Sequence, residues 1–478
     1  MARQSHKYFL VGLSILIAGC AHSIKEPATP VQIPEAFSAK GTEPMQDKWW
    51  RAFKDSELDA LIDRALSNNF TLLTAWDRLA QTQAIARKVN ASLWPQASLT
   101  AEAGRTRQEA NGATNYASLY SVGVAASYEV DLWSELRSTR RAAWLDVQSQ
   151  RDAVDTAAIT LAASIANTWY QLAEAKALVR IAHDQIKTNQ DVLKIVTVQW
   201  QKGAARAADV YRQQQLVAST QAQLIAAEET VELLQYALSV LIGNRPDQVW
   251  QQTTIESPEL PPIPELGVPA DVLLRRPDVR RSYRQVQAAD QRLAAAIADQ
   301  YPRVSVSAYA ETSAVSVHDL FDDWLANLAA NAVQPLFDAD LRKAEVERQK
   351  AVVSEQIHAW GQTILDALEE VEGALTRQRQ QTLLLDNLEH QLELARRTYQ
   401  RNQESYIKGQ VDYIRVLESL ESLQGLERSV VSARRALIQD QIDLYRSIAG
   451  SFDLKQPTLA QTGETLSSTN SQNVSQEE

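Results

Sequence analysis

The sequence predicts a mixed α and β membrane protein made by internal duplication. Four strands per chain are completed by other copies into a transmembrane β-barrel, and long helices continue below it. Three observations carry this. Each half has strand-like alternation directly after an aromatic-proline boundary. Each half also has a helical run of about 68 residues that ends at a Lys-Gly turn. Beyond the N-terminus no segment has 18 consecutive apolar residues, so a chain that crosses a membrane must do so with strands.

The 478 residues include only 15 Gly and 15 Pro, which favours long uninterrupted elements. A net charge of -11 argues against nucleic acid as a partner, because phosphate binding needs a basic face. Cys20 is the only cysteine, which excludes an internal disulfide and a cysteine-built metal site. Arg3, His6 and Lys7 open the chain, an apolar run covers residues 8–18, and Gly19-Cys20 follows. The run is too short to span a bilayer and has the form of a secretory signal. The small residues before Cys20 resemble the bacterial lipobox; an ordinary signal peptide with an incidental cysteine is the other reading. The lipobox resemblance implies removal of residues 1–19 and a covalent lipid on Cys20, S-diacylglycerol with N-palmitoyl, at the head of an acylated segment 20–54. Ala21 in place of Asp points, by the same analogy, to the outer membrane.

The first repeat is predicted over residues 55–255. Trp49-Trp50 leads into an amphipathic helix that ends near Asn68-Asn69, and a second helix stops at Trp94-Pro95, where the residue before proline is pushed to extended geometry. Leu99, Ala101 and Ala103 then alternate with Ser98, Thr100 and Glu102, which is strand periodicity. Strands are predicted over 96–108 and 117–131, with a turn at 110–115. Between Trp133 and Gln201 there is no Pro and no Gly, and Val154, Ala158, Leu161, Ile165, Thr168, Leu172, Ala175, Val179, Ala182, Ile186, Leu193, Val196 and Trp200 form a heptad-like seam. A helix over 134–201 would be roughly 100 Å long. A return helix over 207–243 follows Gly203.

A Pro-rich connector, 256–277, precedes a second repeat over 278–450 with strands at 303–313 and 324–335 and helices at 340–407 and 411–449. Tyr301-Pro302 lies 207 positions after Trp94-Pro95, Leu336-Phe337 lies 204 after Leu132-Trp133, Lys408-Gly409 lies 206 after Lys202-Gly203, and Gly450 lies 207 after Gly243. Four landmarks at nearly one offset indicate duplication. The Ser/Thr/Gln-rich tail, 451–478, is predicted to be disordered. Four strands cannot close a transmembrane barrel, whereas three copies supply twelve.

These landmarks resemble the TolC-like outer-membrane efflux proteins, in particular the lipoprotein (OprM/NodT-like) branch. The resemblance also rests on Trp49-Trp50 with Phe53, on Tyr128-Glu129-Val130-Asp131-Leu132-Trp133 and on Leu274-Arg275-Arg276-Pro277-Asp278-Val279-Arg280. It implies a homotrimer with a twelve-stranded barrel in the outer membrane of a Gram-negative bacterium, lipid-anchored, and an α-helical tunnel in the periplasm. It implies export, with a periplasmic adaptor protein and a proton-driven inner-membrane pump as partners. It implies no enzyme activity and no cofactor beyond the lipid. Multidrug or other small-molecule export is the default cargo; the exit duct of a type I protein secretion system and a periplasmic coiled-coil scaffold are the alternatives.

The same resemblance assigns roles to residues near the two tip glycines. Glu418 matches an acidic gate position and Ile414 an apolar one; a ring of three carboxylates near an axis would select cations, while a solvated helix face is the plain reading. Tyr406 and Asp209 match a tyrosine-aspartate lock that holds the closed tip, although Tyr406 also continues the helical seam. Gly203 and Gly409 match the tips that an adaptor grips, and an ordinary helix C-cap explains each glycine equally well. The arginine that many relatives place two residues after the second glycine is absent, since Val411 stands there, and Arg415 is a candidate substitute. His6, His22, His183, His318, His358 and His390 have no ligand spacing, which argues against a zinc site. Met occurs only at Met1 and Met45, so no methionine-rich lining for copper or silver exists.

Overall fold

A computed structural model describes residues 29–41, 45–248 and 260–454. The signal peptide, Cys20 and the tail from Gln456 lie outside the described residues. A 3-10 turn, Trp49–Phe53, precedes helices α1 (Ser56–Asn68) and α2 (Phe70–Ala91), strands β1 (Gln96–Ala110) and β2 (Ala113–Val130), and helices α3 (Glu135–Gln201) and α4 (Ala207–Leu241). Helices α5 (Pro269–Arg275) and α6 (Pro277–Ala298), strands β3 (Arg303–Ala314) and β4 (Trp324–Val333), and helices α7 (Leu341–Ile407) and α8 (Tyr413–Ile448) complete the chain. Helices α3 and α7 have 67 residues each, and their return helices α4 and α8 have 35 and 36. Among the described residues no helix is long and apolar enough to cross a membrane. The chain divides into two compact units. One holds residues up to Gln32, Arg78–Arg151 and Arg280–Thr363; the other holds Ile33–Asp77, Asp152–Val279 and the chain from Ile364.

The first unit contains the sheet. Its order is β1-β2-β3-β4, antiparallel throughout, so the central pairing β2–β3 joins the two repeats. Leu99 lies opposite Val124, Val124 opposite Ala310, and Ala310 opposite Ala326, and Ala97, Ala101, Val122, Trp324 and Leu328 share that face. Ser98, Thr100, Glu102, Ser307, Glu311 and Asn327 occupy the other. One face is therefore apolar and the other polar. Among the described residues of the single chain the outer edges of β1 and β4 have no neighbouring strand.

The β1–β2 turn is shorter than the sequence suggests. It consists of Asn111-Gly112 alone, with φ of 52° and 80°, the conformation of a two-residue type I′ hairpin, which Asn and Gly tolerate. Thr114 and Asn115 look like turn residues but are paired with Glu109 and Gln108 in the ladder. At the foot of the sheet the two repeats meet: the Trp133 ring stacks on Tyr301 at 5.0 Å and its Nε1 donates to the Pro302 carbonyl at 2.8 Å. Helix α7 passes unbroken through Gly361, where an added Cβ would come within 3.1 Å of the Pro30 ring.

The second unit has an aromatic core. Trp49 and Trp50 are fully buried, Trp49 stacks on Tyr445, and Trp50 meets Phe452 edge-on. Asp55 caps α1 by accepting from the backbone N–H groups of Glu57 and Leu58, and its second oxygen accepts from Trp169 Nε1 at 2.7 Å. Arg276 is buried. Its guanidinium donates to Asp278 at 2.6 Å, to Glu370 at 2.8 Å and to the Ser447 carbonyl at 2.7 Å. Burial works against its charge, and the two carboxylates outweigh that and hold its pKa above the usual value. The two repeats end differently. Gly243 closes α4 with φ 80°, whereas α8 closes on Ala449 in extended geometry and Gly450 is not among the residues with positive φ. Gly450 thus keeps its place in the repeat without the left-handed turn.

Candidate functional site at the helical tips

Both long hairpins turn in the same way. Gly203 (φ 77°) donates to the Trp200 carbonyl and Ala204 to Gln199, while Gly409 (φ 71°) donates to Tyr406 and Gln410 to Ser405, all at 2.8–2.9 Å. This pair of bonds, one spanning three residues and one spanning five, is a Schellman C-cap, and only glycine adopts its left-handed residue without strain. An added Cβ at either glycine meets nothing within 4 Å, so backbone conformation alone requires them.

The tips of the two hairpins pack together inside one chain. Val192 and Val196 of α3, Val210 of α4, and Tyr413, Val416, Leu417 and Leu420 of α8 form a buried apolar cluster, with Tyr399 and Tyr406 of α7 packed against it. Beside it opens a cleft of about 530 Å³ lined by Gln199, Arg206, Asp209, Arg212, Tyr406 and Tyr413, among others. The sequence-based lock residues therefore share one cleft. They are not bonded to each other: the Tyr406 hydroxyl donates to Gln199 Oε1. Asp209 accepts from the Arg206 backbone N–H at 3.1 Å, closing the first turn of α4, and lies 3.7 Å from Arg212. Burial and the nearby Asp209 charge both raise the Tyr406 pKa. Tyr413 is raised further, by burial first and then by Tyr406, Asp209, Tyr399 and Glu421. Both phenols therefore stay protonated and act as donors, Tyr413 to Gln213 Oε1.

A ladder of amide side chains continues from this point. Gln213 Nε2 donates to the Asn189 carbonyl at 2.7 Å. Asn189 and Gln424 exchange amide bonds, Gln424 Nε2 to Asn189 Oδ1 at 2.8 Å and Asn189 Nδ2 to Gln424 Oε1 at 3.3 Å. Asn189 Nδ2 also donates to Thr220 Oγ1 at 2.9 Å. Gln185 next donates to Glu427 at 2.8 Å and accepts from Arg428 at 2.7 Å. Asn189 and Gln213 are fully buried. These bonds tie α8 to both helices of the first hairpin where apolar residues alone would leave sliding contacts.

The gate candidates sit on α8 outside this network. Glu418 and Arg415 are exposed, and Ile414 is half-buried at the edge of the apolar cluster. The Arg415 carbonyl accepts from Asn402 at 3.1 Å. The ladder is the part of the site that sequence reasoning missed. Its one signal is a gap: the α3 seam steps from Ile186 to Leu193, and Asn189 fills the vacant position.

The sequence pattern of the family described as outer membrane efflux protein matches residues 61–244 and 268–450, two segments separated by the connector. The chain is 28% identical over 465 residues to the pyoverdine export outer membrane protein OpmQ of Pseudomonas aeruginosa, covering 94% of this chain and 98% of that protein. It is 27% identical to the toluene efflux pump outer membrane protein TtgC of Pseudomonas putida, covering 92% and 94%. It is 24% identical to nodulation protein T of Rhizobium leguminosarum bv. viciae, covering 92% of each. Among solved structures, the outer-membrane channel OprN superposes with a TM-score of 0.84 at 22% identity, covering 89% of this chain and 98% of that one. The open-state MtrE outer membrane channel of Neisseria gonorrhoeae superposes with a TM-score of 0.79 at 23% identity, covering 91% and 99%. With both repeats matched and the TolC-like fold shared along nearly its whole length, the chain belongs to the outer membrane efflux protein family.

Proposed function

We propose that three copies of this chain close their sheets into one twelve-stranded barrel, and that the resulting trimer is the outer-membrane duct of a tripartite small-molecule efflux system. The observation that carries the trimer is the open sheet. Its apolar face leaves Leu99 and Leu328 exposed by 73% and 76%, and the unpaired edges of β1 and β4 are unstable in lipid unless another copy pairs with them. The helices support the same reading. Tyr211, Ile225 and Leu233 on α4 and Leu383, Leu384 and Leu394 on α7 are exposed in the single chain and call for neighbouring helices. Cys20 carries the lipid anchor once residues 1–19 are removed. Gly203 and Gly409 present the tips to a periplasmic adaptor, which couples the duct to a proton-driven inner-membrane pump. The work is gated diffusion and needs no catalytic residue. The cargo class is small organic molecules, as the names of the pyoverdine and toluene exporters suggest.

At the gate, Ile414 forms the apolar constriction and Glu418 a ring of three carboxylates that favours cations. Tyr406 and Asp209, on one cleft, hold the closed tip, with Gln199 as the partner of Tyr406. Two measurements test this reading. Outer-membrane fractions should contain a heat-modifiable trimer that high salt does not extract; a salt-released monomer would refute the barrel. Tyr406→Phe combined with Asp209→Ala should make a strain carrying only this channel more sensitive to vancomycin. Unchanged sensitivity at equal protein level would remove both residues from the lock.

A further inference from the structure

The duct as proposed makes no use of the two arginines near the β1–β2 turn. Arg105 and Arg107 are the only basic residues in β1, β2 and β4, and β3 has only Arg303, at its opposite end. Their odd numbers in β1 place them on the face of Leu99, Ala101 and Ala103, which is the apolar face that meets lipid. The register fixes their height. Ala101 is level with Val122, Thr312 and Trp324, and Trp324, with Phe321 beside it at 6.4 Å, marks the aromatic rim of the band at the hairpin end. Tyr120, opposite Ala103, continues that rim. Arg105 lies four residues beyond Ala101, or about 10 Å further from the bilayer centre for a strand rising about 3.3 Å per residue and tilted about 40°. That is the headgroup layer, and a long arginine side chain reaches back into it.

The two side chains are prepared for an anion. The Arg105 guanidinium stacks over the Tyr116 ring at 4.9 Å, which orders the plane and leaves its in-plane donors for a second partner. Among the described residues Arg107, directly opposite Tyr116, has only an exposed contact with Glu109 at 3.6 Å, a weak pair that a stronger acceptor displaces. Guanidinium forks match phosphate oxygens better than any other side chain does. We infer that Arg105, Arg107 and Tyr116 form a lipid-facing site for the phosphate of a phosphorylated glycolipid headgroup in the outer leaflet, one site per chain. This inference rests on the barrel reading above, since the register gives a height only if the sheet spans the membrane.

The test uses the full-length trimer in detergent micelles, with diphosphoryl lipid A, its dephosphorylated form and inorganic phosphate as probes. Binding is read by native mass spectrometry. Wild-type protein should retain diphosphoryl lipid A and release the dephosphorylated form. The double variant Arg105→Ala, Arg107→Ala should lose about tenfold in affinity, and the salt slope of binding should fall by roughly 1–2, the loss of one or two phosphate contacts. Arg105→Lys with Arg107→Lys should recover part of the affinity. Equal binding by the double variant, equal retention of the two lipid forms, or full competition by millimolar inorganic phosphate would each overturn the site. Outer-membrane insertion and heat-modifiable trimer formation are scored in parallel on the same variants. A trimer that inserts normally but ignores the phosphate sinks only the lipid site, whereas a wild-type chain that fails to insert sinks the barrel with it.

Discussion

Asn189→Ala is expected to make the channel leak at its closed end. The Asn189 side chain is fully buried and meets Gln424 twice and Thr220 once. Its removal leaves both ends of the buried Gln424 amide without these partners, and an unpaired buried polar group costs about 1–3 kcal/mol. Gln213 keeps its bond, because it uses the Asn189 backbone carbonyl, so the loss falls on the tie between α3 and α8 and on the single Thr220 bond to α4. If about 2 kcal/mol of the lost interaction belongs to the closed arrangement, the open population rises about thirtyfold. The readout is vancomycin sensitivity of a strain whose only efflux duct is this protein, together with the open fraction of single channels in bilayers. Gln424→Ala should behave alike, and the double variant should be no worse than either single one, because the two residues act as one rung. Additive effects, or a wild-type open fraction in Asn189→Ala at equal protein level, would show that the ladder does not hold the tip.

Arg276→Ala is expected to give a large loss of stability from a single polar side chain. Arg276 stands between Asp278, Glu370 and the Ser447 carbonyl, and deleting it takes away the cation the two carboxylates share, leaving Glu370 only the longer contact with Arg446 at 3.5 Å. Breaking a buried ion pair from one side costs about 3–5 kcal/mol. The carboxylates are about one-third exposed, which lets water screen part of the repulsion and places the expected loss near the lower end, about 3 kcal/mol. Lysine should restore little, since it cannot serve three acceptors in the plane of a guanidinium fork. The thermal midpoint of the purified trimer reports the effect. A change of less than about 1 kcal/mol, or full rescue by Arg276→Lys, would mean that the site is filled by water without strain.

The features legible in the sequence are those that a local rule enforces. Gly203 and Gly409 were readable because a helix that ends in a left-handed residue selects glycine, and the strands because one lipid-facing face forces alternation over ten or more residues. The sequence pattern overstates the length of the Asn111-Gly112 turn, because Thr114 and Asn115 have turn-like chemistry but extended pairing. The ladder was not legible for a different reason. Asn189 bonds residues 31 and 235 positions away, and a lone amide in a helical seam carries no mark of its partner. The lock shows the same limit. Resemblance pairs Tyr406 with Asp209, while packing brings the Tyr406 hydroxyl to Gln199, a residue whose type says nothing about reach. Gly450 illustrates the converse, a landmark that kept its position in the repeat after its conformational reason had gone.

The β2–β3 pairing runs for eleven residues inside one polypeptide, from Tyr120 opposite Ala314 to Val130 opposite Val304. An ancestor with a single repeat would have needed six bodies to close the same ring, and so five encounters between separate molecules. In a ring of three double chains only two encounters remain. The other three have become intramolecular steps whose effective concentration is set by the covalent link between the repeats and no longer by the amount of protein supplied. Gene duplication thereby makes assembly depend on the third power of protomer concentration instead of the sixth, which favours a duct that must form from a sparse supply.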